Sequence, residues 1–149
     1  MPDGSPQTQT IVLIVEDDKF LRTLLSEKLK REGIFVVDAE NGEEAMLKMK
    51  AEPRPHLILL DLLLPVLDGF EVLRRMHDDQ GLKRIPVLVL SNLGQEDDIK
   101  RAKDLGAVDY MVKAYLLRAR LWKKSVASSA RSTYRVITNI RIWAKYTNE

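Results

Sequence analysis

Five short apolar runs are spaced along the chain, and each is rich in leucine or β-branched residues. They are IVLIV (11–15), IFVVD (34–38), LILLD (57–61), PVLVL (86–90) and VDYMV (108–112). Length and composition predict a strand at each of them. The first, third and fourth runs are continuously apolar, which is typical of central parallel strands that are buried on both faces.

The segments between these runs show the spacing of amphipathic helices. Shared apolar faces are formed by Phe20/Leu21, Leu24, Leu25 and Leu29, by Ala45 and Met49 within 43–50, by Phe70, Leu73 and Met76 within 69–80, and by Ile99, Ala102 and Leu105. Gly33 and Gly106 stand where C-terminal helix caps belong, and a fifth helix is expected to begin near Tyr115. Strand and helix alternate five times, which predicts an α/β domain with helices on both faces of a parallel sheet.

Composition limits the function classes. The 149 residues are 45% hydrophobic and 31% charged, as in a globular domain. The absence of cysteine excludes disulfides, thiol nucleophiles and thiolate metal sites. No apolar run approaches the ~20 residues that span a bilayer, and the opening MPDGSPQTQT lacks the features of a signal peptide. We therefore expect no membrane span and a cytoplasmic location.

Charge is distributed unevenly along the chain. Residues 1–113 hold 16 Lys/Arg against 21 Asp/Glu, a net of −5, whereas residues 114–149 hold 8 Lys/Arg against one acid, a net of +7. We expect a flexible N-terminus at 1–9, a folded domain at 10–128 and a basic C-terminal extension at 129–149. This basic extension is interpreted as a solvated end or a partner or dimer contact; nucleic acid or an anionic membrane face is a less favoured ligand.

Acidic residues follow two strands that meet at the predicted binding edge. In doubly wound sheets, ligands bind at the carboxyl ends of the strands where strand order reverses, which for the order 2-1-3-4-5 lies between strands 1 and 3. Strand 1 ends in Glu16-Asp17-Asp18 and strand 3 in Asp61. Carboxylates that converge in this way favour a hard cation such as Mg²⁺. An aspartate beside that ion can attack phosphorus.

Two residues that are not acidic are expected at the same edge of the sheet. Strand 4 ends in Ser91, a hydroxyl that can hydrogen-bond a phosphoryl oxygen, and strand 5 ends in Lys113, a fixed cation. With these residues, the motifs IVLIVEDD, LILLDLLLPVLDG, VLVLSN and GAVDYMVK resemble the receiver domain of two-component response regulators over residues 10–125. The resemblance implies a flavodoxin-like (βα)5 fold with strand order 2-1-3-4-5. It favours a stand-alone receiver of the chemotaxis-regulator type, because 129–149 is too short for an appended DNA-binding domain.

The resemblance also implies roles for individual residues. Asp61 would be the phosphoacceptor, taking a phosphoryl group from the phosphohistidine of a sensor kinase or a phosphotransfer protein. Mg²⁺ would be held by Glu16, Asp17, Asp61 and the backbone carbonyl of Leu63. Ser91 and Lys113 would bind the phosphoryl oxygens. Tyr110 would be the switching aromatic, which rotates as Ser91 moves and reshapes the face of helix 4, strand 5 and helix 5 for a downstream protein partner or a homodimer.

Other residues have simpler interpretations. Asp18 and Asp68 are expected to be N-caps, and His56 and His77 to be solvated or structural. The family usually places a proline after the strand 5 lysine, joined by a cis bond. Ala114 stands there, and a cis bond to alanine would cost about 2.5–4 kcal/mol, so we expect a trans bond and a shifted loop. The resemblance associates Leu63 and Asn92 with the lifetime of the acyl phosphate.

Several functional alternatives remain open at this stage. The domain could be an interaction module that works without phosphorylation, with nucleic-acid or anionic-surface binding through the basic extension. An aspartyl phosphohydrolase of the haloacid dehalogenase type is disfavoured, because that class carries a second aspartate two residues after the first, where Leu63 stands. Autophosphorylation and hydrolysis of the phosphoaspartate are expected, but not a metabolic activity.

Overall fold

Strands and helices alternate throughout the part of the chain that this computed structural model describes, residues 9–92 and 94–114. The elements are β1 (Ile11–Val15), α1 (Lys19–Arg31), β2 (Phe35–Ala39), α2 (Gly42–Lys50), β3 (Leu57–Asp61), α3 (Gly69–His77), β4 (Val87–Ser91), α4 (Glu96–Asp104) and β5 (Asp109–Val112). All neighbouring strands are parallel, in the order β2-β1-β3-β4-β5. The predicted flavodoxin-like fold is confirmed.

The sheet separates two apolar layers. Successive side chains of a strand point to opposite faces, so β1 sends Leu13 and Val15 to one side and Val12 and Ile14 to the other. The first side is covered by α2 and α3, with Met49, Val72 and Met76 among the buried residues. The other side is covered by α1 through Leu21, Leu25 and Leu29. Burial on both faces explains why β3 and β4 are continuously apolar.

The helix ends use the predicted capping residues. Asp18 Oδ1 accepts a hydrogen bond from the Leu21 amide, and Asp68 Oδ1 accepts one from the Glu71 amide. Gly33 follows the C-cap of α1 with φ of 78°, and Gly106 follows that of α4 with φ of 111°. Both glycines adopt the left-handed conformation typical of helix C-termini. These four predictions are confirmed.

Two sequence predictions need correction. The third helix ends at His77 rather than Gln80. The Asp79 side chain accepts hydrogen bonds from the backbone amides of Gly81 and Leu82, and these bonds form a turn instead of a further helical turn. The helical periodicity assigns Phe20 to the apolar face of α1, but the side chain is 72% exposed. It lies one turn nearer the helix start than half-buried Leu24, where it lines the site cavity rather than the core.

Some predictions fall outside the described residues. The fifth helix, the basic extension 129–149 and all but the last residue of the N-terminal segment 1–9 belong to this group. Within 9–92 and 94–114, no helix has the length and apolar character needed to cross a bilayer.

Candidate functional site

Three carboxylates meet where β1 and β3 end. Val15 pairs with Leu60 across these strands, so Glu16 and Asp17 emerge beside Asp61. One oxygen from each of the three carboxylates lies within 4.8 Å of the others, a spacing that can hold a metal ion. Glu16 and Asp61 are 0% and 2% exposed, whereas Asp17 is exposed. The convergence expected from strand order is therefore present.

Lys113 reaches this cluster from the end of β5. Its Nζ lies 2.8 Å from Asp61 Oδ2 and 2.9 Å from Glu16 Oε2. Among the described residues only the Glu52–Pro53 bond is cis, so the Lys113–Ala114 bond is trans, as predicted. The alanine that replaces the family's usual proline does not keep the ammonium from Asp61.

The buried charges of the site do not balance. Two buried carboxylates face one ammonium, and burial together with the Asp61 charge raises the pKa of Glu16 to about 7 despite the lowering effect of Lys113. Burial, assisted by the Asp17 charge, also raises the pKa of Asp61. Burial by itself would lower the pKa of Lys113, but its hydrogen bonds to Asp61 and Glu16 outweigh burial and raise it. Full ionisation of the cluster would therefore leave an excess of negative charge.

A divalent cation suits this arrangement. Glu16 Oε1 accepts hydrogen bonds from the Asp18 amide and from Lys113. Glu16 Oε2 is buried without a hydrogen-bond partner, although it lies within ion-pair distance of the ammonium. A buried carboxylate oxygen that shares one ammonium with Asp61, in a cluster of three acids, is a natural ligand for a hard cation, which binds oxygen and neutralises the excess charge.

The carboxylates open into a cavity of about 500 Å³. Its lining is acidic on one side, at Glu16, Asp17, Asp18 and Asp61, and includes Phe20, Leu21, Leu63, Asn92, Lys113 and Ala114. The Leu63 amide donates to Asp61 Oδ1 at 3.1 Å, so both oxygens of that carboxylate are held, one by this amide and one by Lys113. The Asp61 carboxylate is therefore fixed in orientation in the lining of an open cavity.

The two predicted switch residues have their hydrogen-bond and ring contacts outside the carboxylate cluster. Ser91 is buried at the end of β4, and its hydroxyl donates to the Met111 carbonyl at 3.3 Å. Tyr110 is 40% exposed, with the Lys103 ammonium 5.2 Å from its ring centroid. This arrangement leaves the phosphoryl-binding role of Ser91 and the switching role of Tyr110 as predictions.

The histidines have no place in the site. His56 Nδ1 accepts a hydrogen bond from the Ile11 amide at 2.9 Å, next to the start of β1. That contact is structural, as predicted, and His77 is exposed at the end of α3.

Sequence reasoning missed Arg22. Its side chain is only 9% exposed, and its guanidinium contacts the backbone of Glu16 and Asp17. The signal was available, since a basic residue between Leu21 and Leu25 on the buried face of α1 requires polar partners.

Known proteins share this fold and this site region. A family model described as the response regulator receiver domain matches residues 12–123. The transcriptional regulatory protein PhoP of Bacillus subtilis, which is named for alkaline phosphatase synthesis, is 39% identical over 104 residues, 70% of this chain and 42% of PhoP. The chain spans about two fifths of the length of PhoP and of two other curated relatives that it matches.

Solved structures of response regulators are also similar to this chain. The phosphorylated cyanobacterial phytochrome response regulator RcpA is 42% identical with a TM-score of 0.64, covering 70% of this chain and 81% of that one. The Mn²⁺-bound form of response regulator Rcp1 is 33% identical with a TM-score of 0.64, covering 84% and 94%. The receiver domain of Ssk1, solved with the histidine phosphotransfer protein Ypd1 of Saccharomyces cerevisiae, is 29% identical with a TM-score of 0.65, covering 73% and 81%.

Proposed function

This chain belongs to the response regulator receiver domain family, and on that premise we propose that it accepts a phosphoryl group on Asp61 in a Mg²⁺-dependent reaction. The observation that carries the proposal is the fixed carboxylate of Asp61, buried at the end of β3 and held by Lys113 and the Leu63 amide beside two further acids. The family match at 12–123 supports a receiver domain at 10–128.

In the proposed reaction, an Asp61 oxygen attacks the phosphorus of a phosphohistidine. The new O–P bond forms as the N–P bond breaks, and the departing imidazole nitrogen keeps the electron pair and takes up a proton. The Lys113 ammonium lies 2.8 Å from Asp61 and would form an ion pair with the phosphoryl oxygens after transfer. Ser91 would exchange its hydrogen bond to Met111 for one to the phosphoryl group, and Tyr110 would turn inward behind it.

The donor set supports Mg²⁺ as the resident ion. Glu16, Asp17 and Asp61 would hold it, together with the Leu63 carbonyl, and the ion would neutralise charge on the incoming phosphoryl group. The Mn²⁺-bound form of Rcp1 supports a divalent ion in a related receiver. In this chain, the three carboxylates whose oxygens lie within 4.8 Å of one another are the feature that favours metal binding most directly.

We propose a histidine kinase or a phosphotransfer protein as the phosphodonor. The complex of Ssk1 with Ypd1 supports a donor of this class. In this chain, two large apolar side chains border the cavity: Phe20 is 72% exposed and Leu63 is 56% exposed. They can pack against a donor helix that presents its phosphohistidine to Asp61. The face of α4 and β5, with exposed Val108 and Tyr110, would contact the downstream partner.

Acetyl phosphate with Mg²⁺ and intact-mass spectrometry test the proposal. We expect an adduct of about 80 Da, one phosphoryl group, that is absent when EDTA replaces Mg²⁺. Asp61→Asn should abolish the adduct, whereas Asp104→Asn, an exposed aspartate at the end of α4, should leave it unchanged. An adduct that persists in Asp61→Asn would move the acceptor elsewhere, and no adduct in the wild type would favour a module with a silent site.

A further inference from the structure

Arg22 connects the acidic loop to the helix that follows it. Its Nη1 donates to the Glu16 carbonyl at 2.8 Å and contacts the Asp17 carbonyl at 3.4 Å. Those carbonyls belong to the two residues of the site cluster that follow β1. One guanidinium thus holds the backbone on which both carboxylates are mounted, without touching either carboxylate.

The guanidinium is itself held from the neighbouring strand. Nη2 lies 3.3 Å from Glu40 Oε1, and Nε lies 3.8 Å from Asp38 Oδ2. Asp38 is also 3.9 Å from the Lys48 ammonium of α2. The planar guanidinium therefore spans from the loop after β1 to the end of β2, a bridging geometry that a lysine ammonium cannot reproduce.

The rest of the loop is already well held. The Glu16 amide donates to the Ala39 carbonyl at 3.0 Å, the Asp18 amide donates to Glu16 Oε1, and Asp18 caps α1. Arg22 adds the restraint on the carbonyls of Glu16 and Asp17. Like charges on these side chains repel when no cation is bound, so the loop tends to separate the carboxylates. A buried cation on the backbone side opposes that tendency.

We propose that Arg22 is a positioning residue for divalent-ion binding. It keeps the carboxylates of Glu16 and Asp17 converged before the ion arrives, and Asp38 and Glu40 keep Arg22 in place. The inference rests on the proposed function. Preorganisation of this kind lowers the ordering cost of binding, so the residue contributes to ion affinity rather than to the attack by Asp61.

The test measures ion affinity directly, by titrating Mn²⁺ and following the loss of its free electron paramagnetic resonance signal. We expect Arg22→Met to weaken binding by about tenfold or more, as for residues that orient metal ligands. The Mn²⁺ affinity of Arg22→Lys should lie between that of Arg22→Met and that of the wild type. Thr23→Met, an exposed change at the adjacent position, should bind as the wild type does.

A second measurement separates positioning from a merely structural role. The rate of phosphorylation by acetyl phosphate is measured against Mg²⁺ concentration, with urea unfolding in EDTA beside it. Arg22→Met should raise the half-saturating Mg²⁺ concentration while its rate at saturation stays within about threefold of wild type. Lower stability with unchanged Mn²⁺ affinity would overturn the inference.

If Arg22→Met does not fold, the double variant Asp38→Asn, Glu40→Gln tests the positioning role of Arg22 instead. It retains Arg22 but removes the acids that orient it, and we expect about a threefold loss of Mn²⁺ affinity. Unchanged affinity in this variant and in Arg22→Lys would overturn the inference. If the wild type binds no Mn²⁺ and forms no adduct, the proposed function itself fails, which is a different result.

Discussion

Replacing Glu16 with glutamine should change how the stability of the metal-free protein depends on pH. In the folded chain Glu16 is buried beside Asp61, and its pKa is raised from 4.5 to about 7. The folded state therefore binds a proton more tightly than the unfolded state. Stability from this group is fully present below pH 4.5 and is lost as pH rises through 7.

The size of the effect follows from that shift. One pKa unit corresponds to about 1.36 kcal/mol, so the change from 4.5 to about 7 sets a ceiling of about 3 kcal/mol on the loss. The raised pKa of Asp61 also makes the protein less stable as pH rises. The raised pKa of Lys113 affects the pH dependence of stability only in alkaline solution. Glutamine is neutral at every pH, so Glu16→Gln should gain stability over wild type progressively between pH 5 and 8.

Urea unfolding in EDTA, followed by far-UV circular dichroism at pH 5, 6, 7 and 8, measures this difference. Glu27→Gln is the matched control, because it removes the same charge from an exposed position of α1. Adding Mg²⁺ at pH 8 should stabilise the wild type more than Glu16→Gln. Parallel pH profiles for the wild type and Glu16→Gln would refute the reasoning, because they would mean that burial of Glu16 imposes no charge penalty.

Three further substitutions, with Val108→Asn as the control for the first, test the backbone near Asp61. Val66 has φ of 68°, which is costly for a β-branched residue, so Val66→Asn should raise the free energy of unfolding by about 1 kcal/mol, whereas Val108→Asn should not. Gly69→Ala would place its Cβ 2.5 Å from the Asp61 carbonyl oxygen, so urea unfolding should show a loss of more than about 2 kcal/mol and the acetyl phosphate adduct should form more slowly. Asp68→Ala removes the cap of α3 and should cost about 1 kcal/mol in the same unfolding assay.

The strands and the acidic cluster could be predicted because they depend on local pattern and one topological rule. The apolar runs define strands, and parallel pairing brings their carboxyl ends to one edge. Asp61 ends a strand, and Glu16, Asp17 and Lys113 follow strands. Their meeting required no knowledge of side-chain packing. The caps at Asp18 and Asp68 were predictable for a similar reason, since they depend on a few adjacent residues.

The features that could not be predicted depend on where the apolar layer under α1 ends and on side-chain contacts with the backbone. Periodicity placed Phe20 with the core residues of α1, but it cannot show that the apolar layer stops before the first turn of the helix. The position of Arg22 on the buried face of α1 indicates that it needs polar partners, but its closest partner is the Glu16 carbonyl, and a backbone carbonyl is marked by no motif. The early end of α3 results from the side chain of Asp79 competing for backbone amides.

The ion pair between Lys113 and Glu16 joins residues 97 positions apart, one after the first strand and one after the last. During synthesis the ammonium emerges only after the five strands of the described residues, so a growing chain that ends before residue 113 has Asp61 but not the ammonium that pairs with it. If Asp61 accepts phosphoryl groups as we propose, a chain still being synthesised would lack the cation that is to meet them until its fifth strand is made.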